Sequence, residues 1–309
     1  MGEQIPFPLN FKRYQEIGEE ALLNEKYDVA CENFENAYEM EQDFSINTRL
    51  VYTLLQIHQV KRALKVANEM KTTYFSQQKQ LPLLIETLLL NKYPLEARKA
   101  LRFLSNNKKK REFLERIVQL ERALALIPTI EMQEQRKWLN SFETMTGAEQ
   151  LTGLSHVNSV PVKIYLESLE PFLEDSDFHP LVRAAILETL VELKLDKSFV
   201  YLTYKNRKLQ IVPAELETIS ESTLFGKMNK TLADKLLDSN PTLYSMLKEE
   251  LYFQFAIIYP RPEQYVLDVD SWVEALIERY TGSQSQQEPL VLTETIQEIE
   301  LLIQTFFYS

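Results

Sequence analysis

The run Tyr14-Gln15-Glu16-Ile17-Gly18-Glu19-Glu20-Ala21 is followed, across a polar Asn24-Glu25-Lys26 turn, by Tyr27-Asp28-Val29-Ala30-Cys31-Glu32-Asn33-Phe34-Glu35-Asn36-Ala37. These two stretches decide the fold. Large, small and aromatic side chains recur at helical spacing on both sides of the turn, which predicts two antiparallel helices. Such helices cross closely only where small side chains meet, here Gly18 and Ala30, and Tyr14 and Phe34 fill the space beside that contact.

The small residue returns at Ala63 in Val60–Ala67 and again at Ala97 in Tyr93–Leu101, 33 and then 34 positions on. Leu50, Val51 and Leu54 sit on the first helix of the second unit, and Leu84, Ile85 and Leu88 on that of the third. A period of this length is that of a repeated helix pair. The positions Tyr14, Ile17, Gly18, Ala21, Tyr27, Ala30, Phe34 and Ala37 resemble the tetratricopeptide-repeat pattern. The expected fold is therefore all-α: a tetratricopeptide-like solenoid of antiparallel helix pairs over residues 1–127, with units near 11–44, 44–77 and 78–111. The resemblance implies a right-handed superhelix.

It further implies a non-catalytic adaptor whose first helices line a concave groove that receives a peptide or a partner helix. By position, Lys12, Gln15, Glu19, Arg49, Tyr52, Gln56 and Glu86 face that groove. Members that grip a C-terminal carboxylate use Lys and Asn where this sequence has Gln15 and Glu19, so a chaperone-tail clamp is not expected.

Residues 128–309 read as a helical region with one hairpin. Phe113, Leu114, Ile117, Leu120, Leu124 and Ile127 mark a helix over Lys108–Ile127 that ends at Pro128. Further helices are predicted over Ile130–Met145, Val160–Leu173 (Ser159 as cap, Pro161 in the first turn) and from Pro180, a start resembling a HEAT-type helix. Others follow over Thr242–Ile258 (after Asn240-Pro241), Val269–Tyr280 and Thr293–Phe307. Trp272, Leu276 and Tyr280 are expected on one face. Phe199–Tyr204 and Leu209–Val212 flank Lys205–Lys208 as a β-hairpin near 199–212, and Gly282–Pro289 reads as a linker. The whole layout resembles uncharacterised bacterial tetratricopeptide proteins with an extra helical C-terminal half.

Six glycines in 309 residues leave little room for phosphate-cradling loops. The single Cys31 excludes an intrachain disulfide and any Cys-x-x-Cys pair, and its helical setting predicts an inert, buried thiol. Gly153-Leu154-Ser155-His156-Val157 lacks both the second glycine and the preceding strand of a nucleophile elbow. Asp177 and His179 are expected to serve the start of the Pro180 helix rather than a metal, because a third ligand at useful spacing is missing. No catalytic residue, cofactor or metal is expected. An enzyme would need a site in residues 160–282.

The N-terminus lacks the pattern of a signal peptide, and there is no long apolar run, so a cytoplasmic protein off the membrane is expected. The net charge of -11 conceals an asymmetry: residues 1–60 carry 4 basic and 11 acidic side chains, residues 61–122 carry 15 and 6. Arg98, Lys99, Arg102, Lys108, Lys109, Lys110 and Arg111 form a basic stretch expected on the convex side, away from the groove. Without a groove-reading motif, and at a pI near 5, it favours an acidic protein partner over nucleic acid. A second reading is a peptide-responsive sensor, without its own DNA-binding domain since only about ten residues precede the first repeat.

Overall fold

The computed structural model describes residues 10–281 and 290–308. The expected linker Gly282–Pro289 and the N-terminal residues before Asn10 lie outside the described residues. Two compact units are present: one ends at Gln133 and also takes in Asn158–Val162, the other comprises Glu134–Val157 and the chain from Lys163 onward.

The first unit opens with α1 (Phe11–Leu23) and α2 (Tyr27–Met40), then α3 (Phe44–Gln56) and α4 (Val60–Glu69). A short α5 (Lys71–Ser76) intervenes before α6 (Leu81–Leu90) and α7 (Pro94–Leu101), and α8 (Asn107–Leu126) follows. The three expected pairs are thus α1–α2, α3–α4 and α6–α7. Ala30, Ala63 and Ala97 are each fully buried, as small residues at helix crossings must be. A β-carbon on Gly18 would lie 2.7 Å from the ring of Phe34, so the absent side chain is what lets that ring seat against α1.

The turns within the pairs repeat as closely as the helices. Glu25, His58 and Lys92 have φ of 56°, 60° and 62°, again 33 and 34 residues apart. At each turn the next amide bonds back across the helix end: Lys26 N–H to Ala21 O at 2.9 Å, Gln59 to Leu54 at 2.8 Å, Tyr93 to Leu88 at 2.9 Å. This is the helix stop that favours glycine, yet the chain holds a side chain in the left-handed region all three times. Replacing any one of Glu25, His58 and Lys92 by Gly is expected to raise stability by about 0.5–1 kcal/mol, read as a higher urea midpoint at unchanged slope.

A buried polar node joins the second pair to its neighbours. The Asn47 amide donates to Tyr38 Oη at 3.0 Å and to Val66 O at 2.8 Å, and its carbonyl accepts from Tyr74 Oη at 2.9 Å. Asn91 donates to Val60 O at 2.8 Å, so α4 is held from both sides. Cys31 is buried, and burial pushes its thiol up to about 11, in keeping with an inert role. The helix expected over Lys108–Ile127 is present as α8. Ile117 and Leu124 are buried, whereas Leu114 is 39% and Ile127 81% exposed; α6 and α7 pack against the helix.

The second unit takes α9 (Ile130–Asn140) from Glu134 on, then α10 (Gly147–Leu154), α11 (Val162–Leu169) from Lys163 on and α12 (Pro180–Glu192). Next come β1 (Phe199–Leu202), β2 (Lys208–Ile211), α13 (Thr223–Leu236), α14 (Pro241–Ile258), α15 (Val269–Thr281) and α16 (Leu290–Tyr308). The helix expected over Ile130–Met145 ends at Asn140 and gives way to a 3-10 turn, Phe142–Thr144. Thr146 and Glu149 then form a reciprocal cap that starts α10. Gly147 and Gly153 belong to α10 because the rings of Phe306 and Trp138 lie where their side chains would be. The helix expected from Val160 begins at Val162 and ends at Leu169 in a 3-10 turn, Glu170–Leu173. Its first residues instead return to the first unit, where Leu95 N–H donates to Asn158 O at 3.2 Å and Val162 N–H to Glu121 at 3.1 Å.

The hairpin is antiparallel, Phe199 opposite Ile211 and Leu202 opposite Lys208, with Asn206 at φ 58° in the turn. Two strands are not stable alone. Arg183 of α12, 2% exposed, anchors this pair. Its Nε donates to Leu202 O at 3.0 Å, and Nη1 to Asp175 O at 2.9 Å and to Phe178 O. On α15, Trp272 and Leu276 are fully buried, Trp272 Nε1 donating to Gln254 at 2.9 Å, and Tyr280, two turns on from Trp272 near the helix end, is 47% exposed.

Candidate functional site

Three first helices contribute to one depression in the first unit. It has a volume of about 250 Å³ and is lined by Leu22 of α1, Thr48, Arg49 and Tyr52 of α3, and Leu83 of α6, with Lys79 and Gln80 just before α6. Tyr52 is 40% exposed there, and Leu22 and Leu83 are half-buried. Aromatic and aliphatic surface left open between helices is what a partner side chain can cover.

Of the seven residues expected in the groove, Arg49 and Tyr52 line this depression; Lys12, Gln15, Glu19, Gln56 and Glu86 do not. Two are engaged with neighbouring helices instead. Glu19 accepts an ion pair from Arg49 across α1 and α3. Glu86 of α6 holds Arg116 of α8 in a two-point pair, with one N–O distance of 2.7 Å. Arg49 is therefore not a free cation awaiting a partner carboxylate. Lys12 and Gln56 are exposed and Gln15 half-buried. Leu22, Thr48, Lys79, Gln80 and Leu83 were not foreseen. The two before α6 follow an inserted helix, α5, which the repeat period does not announce.

No sequence-family profile matches the chain, and no solved structure matches it. Over 283 residues it is 24% identical to the TPR repeat-containing protein YsoA of Bacillus subtilis (strain 168), covering 88% of this chain and 84% of that one. Recurrent left-handed turns, buried alanines at the crossings and this similarity agree. The first unit is a tetratricopeptide-like solenoid.

The tetratricopeptide-like unit divides the expected basic stretch in two. On α7 and at its end the cations are engaged within the protein: Arg98 Nε bonds Glu121 at 2.8 Å, Lys99 pairs with Glu96 at 3.3 Å, and Arg102, just past the helix, lies 4.4 Å from the Phe103 ring centroid. Lys108, Lys109 and Arg111 are exposed and Lys110 half-buried in the first turns of α8. There the positive end of the helix dipole disfavours cations.

Elsewhere, Ser155 and His156 follow the last residue of α10, with Ser155 Oγ on Thr152 O at 2.7 Å and no strand before them. His179 caps α12, its Nδ1 accepting from Leu181 N–H at 3.2 Å while Nε2 bonds Leu302 O at 3.0 Å. Both ring nitrogens are occupied, and burial draws the imidazole down to about 4. Asp177 takes no part in that cap; its own N–H bonds Asp175 at 2.9 Å. Among the described residues no helix is long and apolar enough to cross a membrane.

Proposed function

We propose that this chain is a protein-interaction scaffold, and that its tetratricopeptide-like unit holds a peptide or partner helix along the face shared by α1, α3 and α6. The observation that carries the reading is the depression around Tyr52, bounded by first helices of all three units. Its apolar floor of Leu22, Tyr52 and Leu83 supplies binding energy, and Lys79 at its edge supplies a charge for a partner carboxylate. The name of the Bacillus subtilis relative supports an interaction role in general.

The test uses partners recovered on the immobilised full chain from the native cell extract and then purified. Tyr52→Ala combined with Leu83→Asp is expected to weaken the principal partner at least about tenfold. Reversal of Lys108–Arg111 to glutamate is expected to leave that affinity within about twofold, since those residues lie outside the depression. Circular dichroism confirms that both variants remain folded. Loss of binding in the reversal alone, with the groove variant intact, identifies the start of α8 as the working surface and ends this reading.

A further inference from the structure

The second unit contains a site of different character, which does not depend on the groove. Helices α14, α15 and α16 bound a pocket of about 510 Å³. Its apolar part is aromatic: Phe253 of α14 and Phe307 of α16 meet with ring centroids 5.2 Å apart at 65°, and Tyr280 of α15 also lines the pocket. Tyr280 and Phe307 are 47% and 48% exposed, although the same helices bury Trp272, Leu276 and Ile303 nearby.

The polar part is anionic. Glu250 and Glu300 line the pocket together with Arg279. Glu300 is 9% exposed; its Oε2 is paired with Arg279, while its Oε1 is buried with no hydrogen-bond partner among the described residues. Among the described residues Glu250 has a single long hydrogen bond, 3.4 Å, from the Gln254 amide, whose carbonyl is taken by Trp272. Leaving a buried acceptor without a donor is costly, more so when it carries charge. Arg279 neutralises one carboxylate of the two. The segment Gly282–Pro289 between α15 and α16 contains no Lys or Arg, so it has no basic side chain to neutralise the other.

What the pocket lacks is therefore a cationic donor, and what surrounds the gap is aromatic surface. A guanidinium meets both conditions: it donates to carboxylate oxygens in a fixed fork, lies against aromatic rings, and keeps an apolar stem. We propose that this pocket binds an arginine side chain presented by a partner polypeptide, with Glu300 and Glu250 as acceptors and Phe253, Tyr280 and Phe307 as the surrounding wall.

The charge arrangement adds a signature. Burial, reinforced by Glu250, lifts Glu300 to about 7 against the pull of Arg279. Burial likewise raises Glu250. The other charged group lining the pocket is Glu249 on α14. An incoming cation favours the ionised carboxylates, so binding releases protons. Affinity rises with pH through about 7 and levels off above it.

The experiment titrates the full chain with N-acetyl-arginine amide, following the aromatic resonances of Phe253 and Phe307 by NMR, with N-acetyl-citrulline amide as the neutral isostere. Saturable shifts are expected with arginine at about pH 8, at least about tenfold weaker with citrulline, and weaker for arginine at about pH 6. Glu300→Gln is expected to remove most of the affinity and flatten the pH dependence. Should that variant fail to fold, Glu250→Gln, at a half-buried position, must weaken binding at least about threefold. Equal response to arginine and citrulline, no saturation up to about 50 mM arginine probe, or unchanged affinity in a folded Glu250→Gln variant overturns the proposal.

Discussion

Phe34→Ala should lower the unfolding free energy by about 3–5 kcal/mol, the usual loss when a large buried ring is emptied. Phe34 is fully buried, and its ring fills the hollow that Gly18 leaves in α1. Neither partner can follow the ring into the void. Gly18 has no side chain to extend, and Ala30 and Ala37 on either side are already fully buried methyl groups. The cavity should therefore persist rather than collapse, which places the cost toward the upper part of that range. Urea unfolding followed by circular dichroism checks it, and a parent-like midpoint would show that the register assigned to the first helix pair is mistaken.

Arg183→Ala should cost a similar amount, about 3–5 kcal/mol, through a different mechanism. The guanidinium serves three backbone carbonyls, of Leu202, Asp175 and Phe178, with no carboxylate among its hydrogen-bond partners. Removing it leaves three acceptors without this donor, two of them buried, as well as a void. Arg183→Lys should rescue little, because a single ammonium cannot reach carbonyls spread around a planar fork. The loss should be local before it is global: hydrogen exchange at Phe199–Ile211 should accelerate most, since the hairpin is tied to α12 through Leu202. Uniform acceleration across the second unit would contradict this anchor.

The helix pairs were legible because their packing is local and periodic. Ala30, Ala63 and Ala97 sit at a fixed spacing, and each meets the same crossing. What escaped has physical reasons. With six residues, α5 is too short to display a period of 3.6. Two glycines disguised α10 as a break, although Thr146 and Glu149 already spelled its cap. For α13 the signal is present in the sequence, with Ser222 as cap and Phe225, Met228, Leu232 and Leu236 at helical spacing. The groove residues were assigned by homologous position, and that logic cannot see ion pairs: Glu19 and Arg49 are 30 residues apart and point to each other. The pocket of α14, α15 and α16 was illegible because Glu250, Arg279 and Glu300 meet only through tertiary packing.

The Asn47 node also limits how this array can change over generations. Counting one period on from Asn47 gives Leu81, which is fully buried at the corresponding place on α6. At this position one seam carries hydrogen bonds to Tyr38, Val66 and Tyr74, and the next a buried leucine. A duplicated third pair slipped into second place would set a leucine before two tyrosine hydroxyls and leave them without their partner. A duplicated second pair moved one place later would bury an asparagine amide among leucines. Each joint is keyed to its own neighbour, so whole pairs can be gained or lost at the ends of the stack but cannot be shuffled within it.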